Sequence, residues 1–169
     1  MYIRRAHPIE LDRVSELIEG AKAFLAESGS SQWQEGYPNR DSALMDISLG
    51  RCWVAMDGEQ IVASAAVIFG ADSTYRTIEG GEWKSCGESY VVVHRVAVDP
   101  MMRGKGVVKW FFGEIEQMAR WASYASLRVD THAQNQPMQR IATSLGYDYC
   151  GIIYVEDGTP RLAYEKQLK

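Results

Sequence analysis

The sequence predicts a mixed α/β fold in which a β-sheet has helices on its faces. Three observations support this class. Apolar residues recur at the helical period in some segments and at the strand period in others. These segments alternate along the chain, and turn signals of Gly, Pro and Asp separate them. The 169 residues are enough for one sizeable core, and no composition break marks a boundary, so residues 1–169 are predicted to form a single domain.

Three strands and two helices are predicted before residue 70. MYIRRA indicates a short strand, and the following His-Pro pair begins a helix, because proline suits the first helical turn. A Gly-, Ser- and Pro-containing loop separates this helix from a shorter one at Ala43–Leu49, for which Gly50 is the predicted C-cap. An Asp-Gly turn then joins two strands, Cys52–Met56 and Gln60–Phe69.

Four strands and two helices are predicted after residue 88. The segment YVVVHRVAV, Tyr90–Val98, is the strongest strand signal, and its apolar composition predicts a central strand buried on both faces. A long helix follows at about Gly104–Ser123, because apolar residues there recur with a period of 3.6. The remaining predicted elements are the strand Ser126–His132, the helix Asn135–Leu145 and the strands Tyr147–Val155 and Arg161–Leu168.

Composition and charge disfavour several classes of protein. A net charge of −4 and a pI of about 5.4 do not favour a nucleic-acid-binding surface. No apolar run reaches membrane-spanning length and the N-terminus lacks an apolar signal segment, so we expect a soluble cytoplasmic protein without a membrane partner. Cys52, Cys86 and Cys150 form neither a metal-ligand pattern nor a disulfide framework, so no metal is expected.

The segment VDPMMRGKGVVKW, Val98–Trp110, places glycines and cations where a strand gives way to a helix. The first N–H groups of a helix have no intrahelical partner, and the helix dipole adds partial positive charge there. Gly104 and Gly106 let an anion approach the backbone, while Arg103 and Lys105 add full charges. The segment predicts a phosphate-binding turn. The alternative is an ordinary glycine turn with basic neighbours, because the Walker and dinucleotide-binding motifs are both absent.

Two motifs resemble those of the GNAT superfamily of acyl-CoA-dependent N-acyltransferases. HRVAVDPMMRGKGVV resembles the cofactor motif, in which a strand, Val-x-Pro and Arg/Gln-x-x-Gly-x-Gly/Ala precede a helix. NQPMQRIATSLGYDYCG resembles the motif in which an Asn begins a helix that ends in Leu-Gly-Phe/Tyr. The order of the elements also fits, so the resemblance covers nearly the whole chain. It implies a mixed, mostly antiparallel sheet with a splayed central strand pair and helices on both faces.

The resemblance implies a single N-acetyltransferase domain that uses acetyl-CoA as co-substrate. Acetyl-CoA would lie in the splay between the strands Tyr90–Val98 and Leu127–Thr131. Backbone N–H groups from Val96 to Val98 would hold the pantetheine and polarise the thioester oxygen. Asn135 would reach the pantetheine or phosphate arm. The pyrophosphate would bind the N–H groups of Arg103, Gly104, Lys105, Gly106, Val107 and Val108.

Two departures from the family pattern bear on activity. Val108 replaces the usual small residue at the start of the helix, and Ala142 occupies the position where relatives often have a tyrosine that protonates the leaving thiolate. These departures favour an alternative, a non-catalytic acyl-CoA-binding or sensing domain. A thiol with a pKa of about 8.5 nevertheless leaves with little help. The first hypothesis is therefore direct transfer of an acetyl group to a primary amine of a small molecule or peptide, without a covalent enzyme intermediate.

His94 is the leading candidate for the general base. An amine acceptor with a pKa of about 10 is mostly protonated at pH 7, so a group must take its proton. By strand alternation His94 is expected to share a face with Val92, Val96 and Val98. The alternative is a core histidine that is satisfied by a backbone carbonyl.

The candidate acceptor-binding residues lie outside the two motifs. Trp33 and Tyr37 belong to the loop QWQEGYP, and they either shape the acceptor pocket or anchor the loop. His132 either orients the substrate or caps the turn that follows its strand. Glu82 and Glu88 either border the acceptor or are solvated surface carboxylates. The aromatic residues of the long helix are expected in the core or at a face compatible with a homodimer.

Overall fold

The computed structural model of the protein describes residues 1–168. Within them, seven strands and four α-helices follow the predicted order β-α-α-β-β-β-α-β-α-β-β. None of these helices is both long enough and apolar enough to cross a membrane. The strands are β1 (Tyr2–Arg5), β2 (Cys52–Asp57), β3 (Gln60–Phe69), β4 (Tyr90–Val98), β5 (Ser126–Thr131), β6 (Asp148–Tyr154) and β7 (Pro160–Gln167). The helices are α1 (Leu11–Glu27), α2 (Arg40–Ser48), α3 (Val107–Trp121) and α4 (Gln136–Ser144).

The strands hydrogen-bond in the order β1-β2-β3-β4-β5-β7-β6. Strands β4 and β5 pair in parallel, with register from Tyr90 opposite Ser126 to Val93 opposite Val129. The pairings of β1 with β2, β2 with β3, β5 with β7 and β6 with β7 are antiparallel. The sheet is therefore mixed and mostly antiparallel, as the sequence predicted.

The contacts of the chain form two compact units, each with its own apolar core. Within the described residues, the first unit contains residues 1–67 and 94–114, and the second contains residues 68–93 and 115–168. In the first unit, α1 and α2 pack on β2, and the core includes Val14, Leu17, Ile47, Val54 and Ala97. In the second unit, the core includes Tyr75, Tyr90, Val92, Ile153 and Ala163.

Strand β4 is buried at Tyr90–Val93 and again at Ala97 but is partly exposed at its other residues, which corrects the prediction of a strand buried on both faces. The residues Tyr90–Val93 are buried, whereas His94, Arg95 and Val96 are partly exposed. The backbone of Arg95 has a φ of 52°, in the left-handed region that residues with a Cβ seldom adopt. The irregular backbone and two polar side chains interrupt the apolar strand immediately after its fully buried segment.

Helix α3 begins at Val107, whereas the sequence predicted a start near Gly104. Gly104 and Gly106 have φ values of 73° and 78°, which a right-handed helix excludes. The helix ends at Trp121, and Ser123 just beyond it also has a positive φ, of 62°. The glycines thus belong to the turn before the helix.

The segment between β3 and β4 is held against β6 by close backbone contact. Glu79 and Ile152 exchange two backbone hydrogen bonds of 2.9 and 2.8 Å. A Cβ placed on Gly81 would overlap the carbonyl oxygen of Cys150, which is backbone and cannot rotate away. This contact requires a glycine at position 81.

We expect Gly81→Ala to lower the free energy of unfolding by about 1–3 kcal/mol, because the methyl group forces the backbone of this segment away from β6. Gly113→Ala is the matched control, since a Cβ there meets no atom within 4 Å and the residue lies inside α3. That change should stabilise the protein by about 0.5–1 kcal/mol. Urea unfolding measures the free energy of unfolding of both variants. Equal effects of the two substitutions would contradict the close contact of Gly81 with the Cys150 carbonyl oxygen.

Candidate functional site

The turn of residues 103–108, between β4 and α3, offers backbone N–H groups that the fold does not use. The N–H groups of Arg103 and Lys105 donate to Pro100 and Met102 across turns, each at 3.3 Å. Within residues 1–168, the N–H groups of four other positions in this turn have no hydrogen-bond partner. These positions are Gly104, Gly106, Val107 and Val108.

The two glycines of the turn are open on the side where a Cβ would stand. A Cβ at Gly104 or Gly106 would meet no protein atom within 4 Å. The space is therefore open to a ligand, and a side chain at either glycine would project into it. Backbone N–H groups at the start of a 15-residue helix suit an anion such as a phosphate. The 103–108 turn is therefore a candidate site for an anionic group.

The side chain of Arg103 binds helix α1, whereas the sequence analysis expected it to add a positive charge to the anion site of the 103–108 turn. Its Nη2 donates to the carbonyl oxygen of Gly20 at 2.8 Å, and its guanidinium carbon lies 4.5 Å from the centroid of the Phe24 ring. Both partners belong to α1, so the side chain fixes the turn on that helix. Lys105 is exposed and is the cation of the turn that is free to meet an anion.

Beside His94, Arg95 links β4 to α2 and to the loop before it. Its Nε and Nη2 donate to the two carboxylate oxygens of Asp46 at 2.8 Å each, and its Nη1 donates to the Tyr37 hydroxyl at 2.7 Å. Asp46 is buried. The sequence analysis missed both Arg95 and Asp46, although an arginine within an otherwise apolar strand is a signal of a buried ion pair.

Two predicted acceptor residues, Trp33 and Tyr37, lie in the same unit as the 103–108 turn. Tyr37 remains half exposed while its hydroxyl accepts the hydrogen bond from Arg95. Trp33 is partly buried and has a φ of 65°. The loop is thus tied to β4 through a side chain that still has exposed surface for a ligand.

His94 is partly exposed on β4, so it is not a fully buried core residue. Regular strand alternation ends at His94, because successive side chains point to opposite faces only where the backbone is extended, and Arg95 is not extended. A face shared by His94 with Val96 and Val98 therefore does not follow from periodicity.

In the second unit, His132 and Asn135 both act in the turn before α4. The Nδ1 atom of His132 accepts the N–H of Gln134 at 3.1 Å, and Oδ1 of Asn135 accepts the N–H of Met138 at 3.2 Å, which caps α4. Burial and the charge of Arg161 lower the pKa of His132. Its imidazole is therefore neutral at pH 7 with the proton on Nε2, and it caps the turn, one of the two roles expected of it.

Three positions that the sequence singled out and one new position, Thr131, remain to be described. Ala142 is buried in α4. As an alanine, it has no hydroxyl that could protonate the leaving thiolate. Glu82 and Glu88 are exposed. Thr131, at the end of β5, has a buried Oγ1 with no partner within residues 1–168. A buried hydroxyl without a partner is uncommon, and a bound ligand is one way to satisfy it.

Glu165 lies at the centre of a buried polar cluster that the sequence analysis also missed. It accepts hydrogen bonds from Arg128 Nε at 3.0 Å, from Ser126 Oγ at 2.5 Å, from the hydroxyl of Ser85 and from the N–H of Lys84 at 2.5 Å. Burial raises the pKa of Glu165, but the hydrogen bonds of Ser126, Ser85 and Arg128 outweigh burial, and the pKa lies below its ordinary value. The cluster fixes the segment before β4 on β5 and β7.

Possible metal ligands among the described residues and the buried thiol of Cys52 bear on whether the chain has an alternative chemistry. Residues 1–168 contain no group of three or more His, Cys, Asp or Glu side chains placed to hold a metal ion. Burial, with a smaller contribution from Asp46, raises the pKa of the Cys52 thiol to about 12, so Cys52 is not a thiolate nucleophile at neutral pH.

Comparisons with known proteins agree with this geometry. The family model described as "Acetyltransferase (GNAT) family" matches residues 18–147. A GNAT-family acetyltransferase from Streptococcus agalactiae is 38% identical, with a TM-score of 0.91, over 99% of this chain and 95% of its own. A GNAT-family acetyltransferase from Listeria monocytogenes is 18% identical, with a TM-score of 0.76, over 99% of this chain and 94% of its own.

A further solved structure contains a ligand. The Salmonella typhimurium protein yncA, described with its cofactor acetyl-CoA, is 17% identical to this chain. Its TM-score is 0.68, over 99% of this chain and 94% of its own. At this identity the likeness concerns the fold. No curated protein is significantly similar in sequence.

Proposed function

The chain belongs to the GNAT family of acetyltransferases, and on this premise we propose that it transfers an acetyl group from acetyl-CoA directly to a primary amine of a small molecule or peptide. The observation that most supports the proposal is the 103–108 turn before α3, in which four backbone N–H groups have no partner within residues 1–168 and the two glycines are unobstructed at the Cβ position. The neighbour yncA, described with its cofactor acetyl-CoA, has the same fold.

In the proposed complex, the pyrophosphate of acetyl-CoA accepts hydrogen bonds from Gly104, Gly106, Val107 and Val108, with Lys105 nearby as counter-charge. Val108 supplies its backbone N–H, and for this purpose the nature of its side chain is secondary. Asn135 is kept, from the resemblance to the family motif, as the proposed contact of the pantetheine or phosphate arm. When bound, acetyl-CoA supplies the activated acyl group and a thiolate leaving group.

His94 is proposed as the general base. The attacking amine must lose a proton, and a neutral imidazole is suited to accept one near pH 7. Its partly exposed position on β4 is compatible with proton transfer through water. N–H groups from Val96 to Val98 are the proposed donors to the thioester oxygen, on which negative charge develops as the amine attacks. The raised pKa of Cys52 favours direct attack over an acyl-cysteine intermediate.

Tyr37 and Trp33 are proposed to contact the acceptor. We expect Tyr37→Ala to raise the acceptor KM about 5- to 30-fold, because an aromatic face contributes about 1–2 kcal/mol to the binding of a cationic amine. Tyr37→Phe is the matched control: it keeps the ring and removes only the hydroxyl that binds Arg95, so its KM should change less. Steady-state kinetics measure both. If Tyr37→Ala lowers the melting temperature but leaves KM unchanged, the loop is only an anchor.

The experiment that tests the proposed function is release of CoA thiol from acetyl-CoA in the presence of a panel of primary amines and peptides. Acetyl transfer predicts thiol release that depends on the amine and an acetylated product with the mass of one added acetyl group. If acetyl-CoA binds but no amine raises thiol release above background hydrolysis, the non-catalytic acyl-CoA-binding alternative is favoured.

A further inference from the structure

A cavity of about 290 Å³ lies within the second unit, between the segment that precedes β4 and strands β4 and β5. Tyr75, Trp83 and Tyr90 supply aromatic walls, Arg128 lies at the buried end, and the exposed residues Arg76 and Glu88 also line it. The volume suits a small molecule with about ten to fifteen non-hydrogen atoms.

Arg128 is held as a rigid, buried cation in this cavity. Its side chain is 3% exposed. Its guanidinium carbon lies 4.2 Å from the centroid of the Trp83 ring and 3.9 Å from that of the Tyr90 ring. Nε donates to Glu165 at 3.0 Å, and Nη2 donates to the carbonyl oxygen of Ser85 at 3.1 Å. Close aromatic contacts and hydrogen bonds thus fix its orientation before any ligand arrives.

One edge of this guanidinium remains available. Nη1 of Arg128 has no hydrogen-bond partner within residues 1–168. Among the described residues, the buried side-chain polar atoms without a partner are Trp53 Nε1 and Thr131 Oγ1, and Arg128 Nη1 is not among them. Because Nη1 is neither paired nor sealed from solvent, and Arg128 lines the cavity, Nη1 is open to the cavity.

We propose that this cavity binds a small carboxylate, held by Arg128 Nη1 and by Arg76 at the rim. Aromatic rings close to the guanidinium favour approach to its edge, and a planar carboxylate is the anion that best matches such an edge. Glu165 balances the charge of Arg128 by accepting the hydrogen bond of its Nε. The carboxylate oxygens of Glu165 also accept hydrogen bonds from Lys84 and Ser126. The side chain of Arg76 has no ion-pair or hydrogen-bond partner within residues 1–168, and it supplies the second cation.

The test uses benzoate as probe and benzamide as its uncharged counterpart of the same shape. Binding is followed by NMR of the Trp83 indole N–H, which donates to the carbonyl oxygen of Tyr75 at 3.0 Å beside the cavity. We expect benzoate to shift this resonance saturably, with a Kd of about 1 mM or below. Benzamide and inorganic phosphate should each bind at least about tenfold more weakly. Absence of saturation, or equal affinity for benzoate and benzamide, would overturn the proposal.

Three variants locate the site. Arg76→Ala should weaken benzoate binding about three- to tenfold, because a cation is lost at the rim. Arg140→Ala, the same change at an exposed position on α4, should leave it unchanged. Arg128→Lys keeps the charge but loses the planar edge, and it should abolish saturable binding. If Arg128→Lys does not fold, the benzoate affinity of Arg76→Ala and the comparison of benzoate with benzamide test the site instead. Unchanged benzoate affinity in Arg76→Ala would contradict the proposal.

A last comparison distinguishes the two sources of the carboxylate, and this comparison alone depends on the proposed function. If the acetyl acceptor itself carries the carboxylate, 4-(aminomethyl)benzoate should be acetylated with about tenfold higher kcat/KM than benzylamine, and Arg76→Ala should remove the difference. If the carboxylate belongs to a separate ligand, the two amines react alike while benzoate still binds. Because the NMR titration needs no turnover, failure of acetyl transfer leaves the binding result intact.

Discussion

Replacement of His94 by alanine is expected to lower kcat by about 10²–10⁴, the usual contribution of a general base. The acceptor amine is mostly protonated at pH 7, and without a base the reaction depends on the small fraction of free amine. Acetyl-CoA affinity should change little, because the proposed pyrophosphate contacts are backbone N–H groups of the 103–108 turn. Steady-state kinetics with acetyl-CoA and an acceptor found in the amine panel measure kcat, and calorimetry measures acetyl-CoA binding.

The pH profile separates loss of a base from general damage. The loss of kcat in His94→Ala should become smaller as the pH rises from 7 to 9, because more of the acceptor is then free amine, which needs no base. His94→Gln, a polar control that cannot accept a proton at neutral pH, should show the same deficit. A variant that keeps nearly normal kcat from pH 6 to 9 would remove His94 from the mechanism, and Glu82, Glu88 or solvent would then be the base.

Glu165→Gln should lower the free energy of unfolding by about 3–5 kcal/mol, because it leaves the buried guanidinium of Arg128 without its counter-charge. Glu165 itself is fully buried, and its hydrogen bonds to Ser126 and Ser85 are lost or weakened with the charge. Glu156→Gln, the same change at an exposed position, is the control and should have an effect below about 0.5 kcal/mol. Urea unfolding at pH 7 measures both.

The effect of Glu165→Gln should depend on pH in a defined direction. The pKa of Glu165 in the folded protein lies below its ordinary value of 4.5, so between these two values the unfolded chain binds more protons. The stabilisation by this carboxylate is therefore complete above about pH 4.5 and is lost as the pH falls through the folded pKa. The difference between wild type and Glu165→Gln should be full at pH 7 and smaller at about pH 3.5. A difference that does not shrink in acid would show that Glu165 acts through packing rather than charge.

The sequence predicted the order of elements and the sheet class because these depend on local signals. Each strand and helix has its own apolar period, and Asp-Gly turns separate adjacent strands. The beginning of α3 was placed too early, because its apolar period does not show that Gly104 and Gly106 adopt positive φ. The 103–108 turn could be proposed as a phosphate site from sequence because its glycines and its helix are contiguous in the chain.

The side-chain clusters could not be predicted in the same way, because their partners are distant in the chain. Asp46 and Arg95 are 49 positions apart, and Arg128 and Glu165 are 37 apart. Their pairing depends on how strands and helices pack, which residue types and periods do not specify. Arg95 and Arg128 do interrupt apolar strand segments, and that local signal indicates a buried charge without identifying its partner. The orientation of Arg103 toward α1 was missed for the same reason.

The most direct test of the central claim, that the 103–108 turn binds acetyl-CoA, is calorimetric titration of acetyl-CoA into wild type, Gly106→Asp and Gly106→Asn. Asp and Asn have nearly the same shape and both tolerate positive φ better than most residues, so their difference isolates charge. A carboxylate about 4 Å from the pyrophosphate costs about 1–4 kcal/mol. The account predicts saturable binding to wild type and affinity about tenfold to 10³-fold lower for Gly106→Asp than for Gly106→Asn. Equal affinity in the two variants would place the pyrophosphate elsewhere and contradict the account.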